Sequence, residues 1–199
     1  MYALLTGIFG KIYDDIIDCH IQHIPAILIE SLKGLVITFT VLACIGDVSF
    51  SILITAFALA TYGVDNEFWA SFAVIGLVMI LSTGFNEFST NPFVLALFII
   101  ASIIIANWED RAFPEEYSKK KLIIRSLGFI VFIGAWFILP YIVSTNAVNS
   151  IINIGDIDFI YKSMEVVIGG LAISICSQIY GLYNSSGDPN IIIDNNNSK

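Results

Sequence analysis

The chain has 199 residues, of which 57% are hydrophobic and 13% charged, and its formal net charge is −8. Its mean hydropathy of +0.84 exceeds what a soluble globular domain needs to fill one core, so the composition predicts a membrane protein. Nucleic acids are bound mainly through clustered lysine and arginine, and the 9 basic residues present here argue against that function.

The first apolar run, from Met1 to Tyr13, is too short to cross a bilayer, which requires about 20 residues. We expect a short helix there that is half-inserted or lies at the membrane interface. No positive region precedes the run, and acids stand where a small-residue cleavage site would be needed. The run is therefore not typical of a cleavable signal peptide.

Six further apolar runs predict membrane-spanning helices. Their approximate ranges are Ala26 to Ile45, Val48 to Tyr62, Phe68 to Ser82, Phe93 to Trp108, Leu122 to Val143 and Ser163 to Tyr183. The predicted fold is an all-α polytopic transmembrane helical bundle, in which residues 1–183 form one domain. Residues 184–199 are polar and asparagine-rich, a composition typical of a disordered tail.

The distribution of basic residues predicts the orientation of the bundle. Five of the nine lysines and arginines fall between Arg111 and Arg125. By the positive-inside rule, the loop from Arg111 to Lys121 is cytoplasmic. Two spans separate this loop from the C-terminus, so the C-terminus is also expected to be cytoplasmic. The same alternation places the segment before Ala26 on that side.

That N-terminal segment contains the main chemical clue in the chain, the acidic cluster Asp14, Asp15 and Asp18. On a helix these three side chains crowd one face, because residues three and four apart are neighbours. Their mutual repulsion destabilises the helix unless a cation relieves it. Carboxylate oxygens are the ligands that Mg²⁺ prefers, so the cluster is a candidate magnesium site.

The predicted alternation brings a second set of charged residues to the same membrane surface. Asp110 could add a further metal ligand, and Arg111 and Lys119 could act as catalytic cations. Mg²⁺ bound to the carboxylates would hold a diphosphate, and the cations would neutralise the charge of the leaving group. The alternative is that loops at a membrane surface are charged simply because water is there.

The segment from Asp14 to Asp18 has the Asp-Asp-x-x-Asp form of the aspartate-rich motif of isoprenoid diphosphate enzymes. It also resembles the first motif of UbiA-type intramembrane prenyltransferases, Asn-Asp-x-x-Asp-x-x-x-Asp, of which Asp14 and Asp18 match the last two acids. Gly10 and Lys11 stand where that family has asparagine and its first aspartate. The lysine removes one ligand and adds a positive charge.

The second motif of that family, Asp-x-x-x-Asp in a cytoplasmic loop, is not reproduced, and Glu109-Asp110-Arg111 is its nearest counterpart. Family members also have more spans than the six predicted here. The resemblance implies a Mg²⁺-dependent transferase acting on an isoprenoid or other lipid diphosphate. The alternative function is a non-catalytic membrane scaffold, or a channel or transporter component.

Overall fold

A computed structural model describes residues 1–18, 24–61, 66–83, 90–112, 117–143 and 154–187. These ranges contain seven α-helices and no strand, which confirms the all-α prediction. The helices are α1 (Tyr2–Asp18), α2 (Ala26–Cys44), α3 (Val48–Thr61), α4 (Asn66–Thr83), α5 (Pro92–Ala112), α6 (Lys119–Val143) and α7 (Ile154–Gly187).

Three of the described helices are long and apolar enough to cross a membrane, rather than the predicted six. They comprise Ala26–Cys44, Lys119–Val143 and Gly155–Asn184. The apolar segments Val48–Ala60, Trp69–Ser82 and Pro92–Ile104 are shorter. At 1.5 Å per residue such segments rise roughly 20 Å, less than the ~30 Å hydrocarbon core of a typical bilayer.

Helix α7 is longer at both ends than the predicted span from Ser163 to Tyr183. It begins at Ile154 inside the expected polar loop, where Asp156 in the first turn complements the positive end of the helix dipole. It ends at Gly187, so the first four residues of the predicted tail are helical. The rest of that tail, residues 188–199, lies outside the described ranges.

Helix α1 packs inside the bundle, directly against the backbone of α7. A Cβ atom added at Gly7 would lie 2.1 Å from the carbonyl oxygen of Val166, and one added at Gly169 would lie 2.5 Å from that of Leu4. Glycine at both positions therefore lets the two backbones touch. The Met1 ammonium lies 2.6 Å from Glu165, before the contact point on both helices, so α1 and α7 run parallel.

Helix α2 returns antiparallel along α1. The rings of Phe9 and Phe39 stack with their centroids 5.5 Å apart, and Gly10 faces Val36. Tyr13 is buried in a cluster that includes Val36. The C-terminal end of α1, which carries the acidic cluster, therefore lies at the same end of the bundle as the start of α2.

Helix α6 packs antiparallel on α7 and brings its lysines to that same end. The Ser118 N–H donates a hydrogen bond to Oε1 of Gln178 over 3.1 Å, and the Tyr117 ring covers Gly181. We call this end, defined by the last turns of α1 and α7 and the first turn of α6, the Lys119 end. A buried cluster on its side of the bundle joins α1, α2, α3 and α4, and it consists of Tyr13, Val36, Ala58, Phe72 and Ala73.

The opposite end, which we call the Asp47 end, joins the turn between α2 and α3 to the first turns of α5 and α7. Asp47 accepts hydrogen bonds from the Phe50 N–H (2.8 Å) and from Lys162 Nζ (3.0 Å). The Asn91 N–H donates to the buried carboxylate of Asp156 over 2.6 Å. The core cluster at this end consists of Ala3, Ala43, Cys44, Phe50, Leu53, Leu95 and Phe159.

The contact between α1 and α7 yields a prediction about stability. Gly169→Ala places a methyl group against the Leu4 backbone, which cannot move aside as a flexible side chain would. We expect a loss of about 1–3 kcal/mol in the free energy of unfolding, the usual cost of overpacking. Thermal unfolding of the detergent-solubilised protein measures this loss.

Gly34→Ala is the matched control, because no atom lies within 4 Å of an added Cβ at this position in α2. Its unfolding temperature should be unchanged or slightly higher, since alanine is favoured over glycine in a helix by about 1 kcal/mol. Equal unfolding temperatures for the two variants would contradict the close packing of α1 on α7.

Candidate functional site

The acidic cluster of α1 is held by a lysine from the preceding turn. Lys11 Nζ forms ion pairs with both Asp14 and Asp15, and the distance to Asp15 Oδ1 is 2.9 Å. About a quarter of each of these side chains is exposed, 25% for Lys11 and 23% for each aspartate. The three residues thus form a partly buried ion-pair centre, which we call the Lys11 triad.

The local cause of this arrangement is the helix periodicity. Asp14 and Asp15 follow Lys11 by three and four residues, the two spacings at which side chains meet on a helix surface. The adjacent Tyr13 is buried against α2, which fixes the rotation of α1 about its own axis. The triad is therefore a property of one helix, oriented by the packing of its neighbours.

The charge state of Lys11 depends on its burial and on its two partners. Burial alone would lower the pKa of Lys11, but the charges of Asp14 and Asp15 outweigh it and hold that pKa above its usual range. A raised lysine pKa contributes stability that is fully present below the unfolded pKa and is lost only as pH rises through the folded one. Lys11 therefore stays protonated at any pH where a membrane protein is normally studied.

The Lys11 triad includes two of the residues predicted to bind Mg²⁺, Asp14 and Asp15. The Lys11 ammonium already takes hydrogen-bonding positions on both carboxylates, and its charge opposes a second cation beside it. Mg²⁺ demands near-ideal octahedral geometry from oxygen ligands, so Lys11 would have to leave before both carboxylates could bind the metal. The observed arrangement supplies internal charge compensation instead.

The other predicted site residues lie on three helices. Asp18 is the last residue of α1, Asp110 and Arg111 belong to the last turn of α5, and Lys119 begins α6, where it is exposed. The side chains of Asp18, Asp110 and Arg111 are outside the described part of the chain. The structure thus brings Asp14 and Asp15 together at the same end of the bundle as Lys119.

Comparisons with known proteins do not assign this chain to a family. No family model, no curated protein and no solved structure matches it. The resemblance to intramembrane prenyltransferases is thus carried by the motif residues alone.

A second ion-pair group at the Asp47 end was not predicted from the sequence. Lys162 lies 3.0 Å from Asp47 and 3.2 Å from Asp158, which connects the start of α7 to the turn between α2 and α3. The four-residue spacing of Asp158 and Lys162 is the sequence signal for the ion pair between these two residues. Asp47 is distant in sequence, so its ion pair with Lys162 follows only from the position of the turn between α2 and α3 beside α7.

We predict that Lys11→Met destabilises the protein, because it leaves two partly buried carboxylates facing each other without a cation. The expected loss is about 1–3 kcal/mol in the free energy of unfolding, the range for hydrogen bonds to charged groups. Chemical or thermal unfolding in detergent measures it.

Adding Asp14→Asn and Asp15→Asn to Lys11→Met should restore most of the lost stability, because the uncompensated charges are then removed as well. The conservative variant Lys11→Arg should retain the ion pairs and unfold close to wild type. If the triple variant were less stable than Lys11→Met alone, the compensating role of Lys11 would be wrong.

Proposed function

We propose that the protein is an integral membrane protein that crosses the bilayer six times, with α1 held inside the bundle as a short additional helix. The apolar segments of α3, α4 and α5 are short, and local thinning of the bilayer accommodates their length. Large apolar side chains face outward along α6, among them Ile123, Leu127 and Ile130, each more than half exposed. A surface of exposed large apolar side chains is stable in contact with lipid rather than with water.

We propose that the Lys119 end faces the cytoplasm. The first turn of α6 contains Lys119, Lys120 and Lys121. Arg111 lies in the last turn of α5. Basic residues close to the ends of apolar helices favour the cytoplasmic side. Gln178 and Gly181, in the C-terminal third of α7, contact Ser118 and Tyr117, which supports the same side for the C-terminus.

The function that the geometry supports best is that of a non-catalytic membrane component, and the Lys11 triad carries this proposal. In a metal-dependent diphosphate site, acidic ligands are kept available for Mg²⁺. Here the ammonium of Lys11 pairs with both Asp14 and Asp15. The acidic cluster then serves to fix the polar end of α1 against the bundle rather than to bind a metal.

Hydrogen bonding in the bundle interior supports a scaffold more than a channel or transporter component. Five buried hydroxyls donate to the carbonyl oxygen four residues earlier on their own helices, and they belong to Thr6, Thr40, Ser51, Thr55 and Ser163. A hydroxyl satisfied in this way presents no strong donor to a passing solute. Close packing also fills the space between helices, since Gly76 would clash with Thr55 if it carried a Cβ.

The second candidate function is Mg²⁺-dependent chemistry on an isoprenoid or other lipid diphosphate. It is favoured by the position of Asp14 and Asp15 at the same end of the bundle as Lys119. Carboxylates and cations at one membrane surface could together recognise a diphosphate headgroup. This candidate requires Lys11 to release the two carboxylates.

Thermal unfolding with added Mg²⁺ and inorganic diphosphate separates the two candidates. For the non-catalytic component we expect wild type to unfold at the same temperature with and without both ligands. Lys11→Met, whose carboxylates are uncompensated, should instead be stabilised by Mg²⁺. A ligand at a hundredfold excess over its Kd stabilises the folded state by about 2.7 kcal/mol.

The variant Asp14→Asn with Asp15→Asn is the control, and it should abolish any Mg²⁺ effect in the Lys11→Met background. Stabilisation of wild type by Mg²⁺, increased by diphosphate and lost in this control, would establish the second candidate and overturn the first.

The orientation proposal is tested by cysteine accessibility in a background with Cys19, Cys44 and Cys176 replaced by alanine. We expect Lys119→Cys and Asn184→Cys to react from the cytoplasmic side of sealed membranes, because both lie at the Lys119 end. Asn91→Cys at the Asp47 end should react only from the other side. Labelling of positions 119 and 184 from opposite sides would contradict the proposed arrangement.

A further inference from the structure

An aromatic groove opens between α6 and α7 at the Asp47 end. It has a volume of about 500 Å³ and is lined by Trp136, Phe137, Pro140, Tyr141, Tyr161 and Glu165. Four of these residues belong to the last two turns of α6, and the other two lie in the first half of α7. The groove is thus at the end of the bundle opposite the acidic cluster, and neither candidate function uses it.

The rings that line this groove are arranged as walls rather than as a stack. Trp136 meets Tyr161 with ring centroids 5.7 Å apart and planes inclined by 73°. It meets Phe137 at 5.2 Å and 86°. Both contacts are edge to face, and the electron-rich faces of tryptophan and tyrosine attract a cation within about 6 Å of the ring centroid.

Glu165 adds a carboxylate to the aromatic walls, and this carboxylate already holds an ammonium group. Its Oε2 atom lies 2.6 Å from the nitrogen of the Met1 ammonium. The ion pair is formally neutral, so Glu165 cancels the charge of the Met1 ammonium beside the groove and allows the aromatic rings to attract a further cation. Rings together with a carboxylate suit a positively charged group of low hydration better than they suit an acyl chain or a phosphate.

We propose that this groove binds the quaternary ammonium of a phosphatidylcholine headgroup. The inference rests on the membrane setting proposed above, in which the Asp47 end reaches the headgroup region of the leaflet away from the cytoplasm. Tryptophan and tyrosine are favoured at that depth. Aromatic walls with a carboxylate are the chemistry by which proteins recognise quaternary ammonium groups.

Native mass spectrometry of the purified protein tests the proposal, with phosphatidylcholine and phosphatidylglycerol of identical acyl chains added in equal amounts. We expect wild type to retain phosphatidylcholine about tenfold more than phosphatidylglycerol, the effect of one desolvated cation–π contact. Trp136→Leu and Glu165→Gln should each reduce this preference, whereas Trp136→Phe should retain part of it.

Phe93→Leu is the matched control, because Phe93 is an exposed aromatic residue at the Asp47 end outside the groove. It should leave the headgroup preference unchanged. Equal retention of the two lipids by wild type would overturn the headgroup site and leave the membrane setting intact. The same holds if Phe93→Leu loses as much of the phosphatidylcholine preference as Trp136→Leu does. Retention of neither lipid would contradict the membrane setting as well.

Discussion

The contact on which the rest of the arrangement depends is the backbone approach of α1 to α7. Gly7 and Gly169 each leave no room for a Cβ atom, so the two helices touch along their main chains. In lipid, where burial of apolar surface does not drive helices together, such van der Waals contact is a principal source of association. It ties α1, a helix of 17 residues, into the bundle, and its parallel direction decides where the acidic cluster lies.

The position of α1 explains why an internal counter-ion is valuable at its C-terminal end. Two consecutive carboxylates on a helix packed against α2 and α7 lose part of their contact with water, which raises the cost of their charge. Lys11 offsets that cost from the same helix, because it precedes the two aspartates by three and four residues. Asp14 and Asp15 match a metal-binding motif in sequence, and their ion pairs with Lys11 are consistent with a structural role.

Hydrophobic runs and basic residues predicted the helical class and the approximate helix ranges, because lipid-compatible segments are long and strongly apolar. The start of α7 at Ile154 could not be predicted from hydrophobic runs, since Asp156 and Asp158 make that stretch polar, which is typical of a loop. The carboxylate of Asp156 accepts a hydrogen bond from the Asn91 N–H, a contact distant in sequence, and Asp158 pairs with Lys162 four residues further along α7. The three- and four-residue spacings predicted the crowding of the acids, but whether lysine or metal relieves it depends on the rotation of α1.

The direction of α1 within the bundle is the central claim, and a spin-label distance measurement in lipid tests it most directly. A label at Ile17, an exposed position near the end of α1, is paired with a second label at Asn184 or at Asn91. Because α7 rises about 1.5 Å per residue between the two ends of the bundle, the parallel arrangement predicts a clearly shorter distance to Asn184 than to Asn91. Equal distances, or a shorter distance to Asn91, would contradict it.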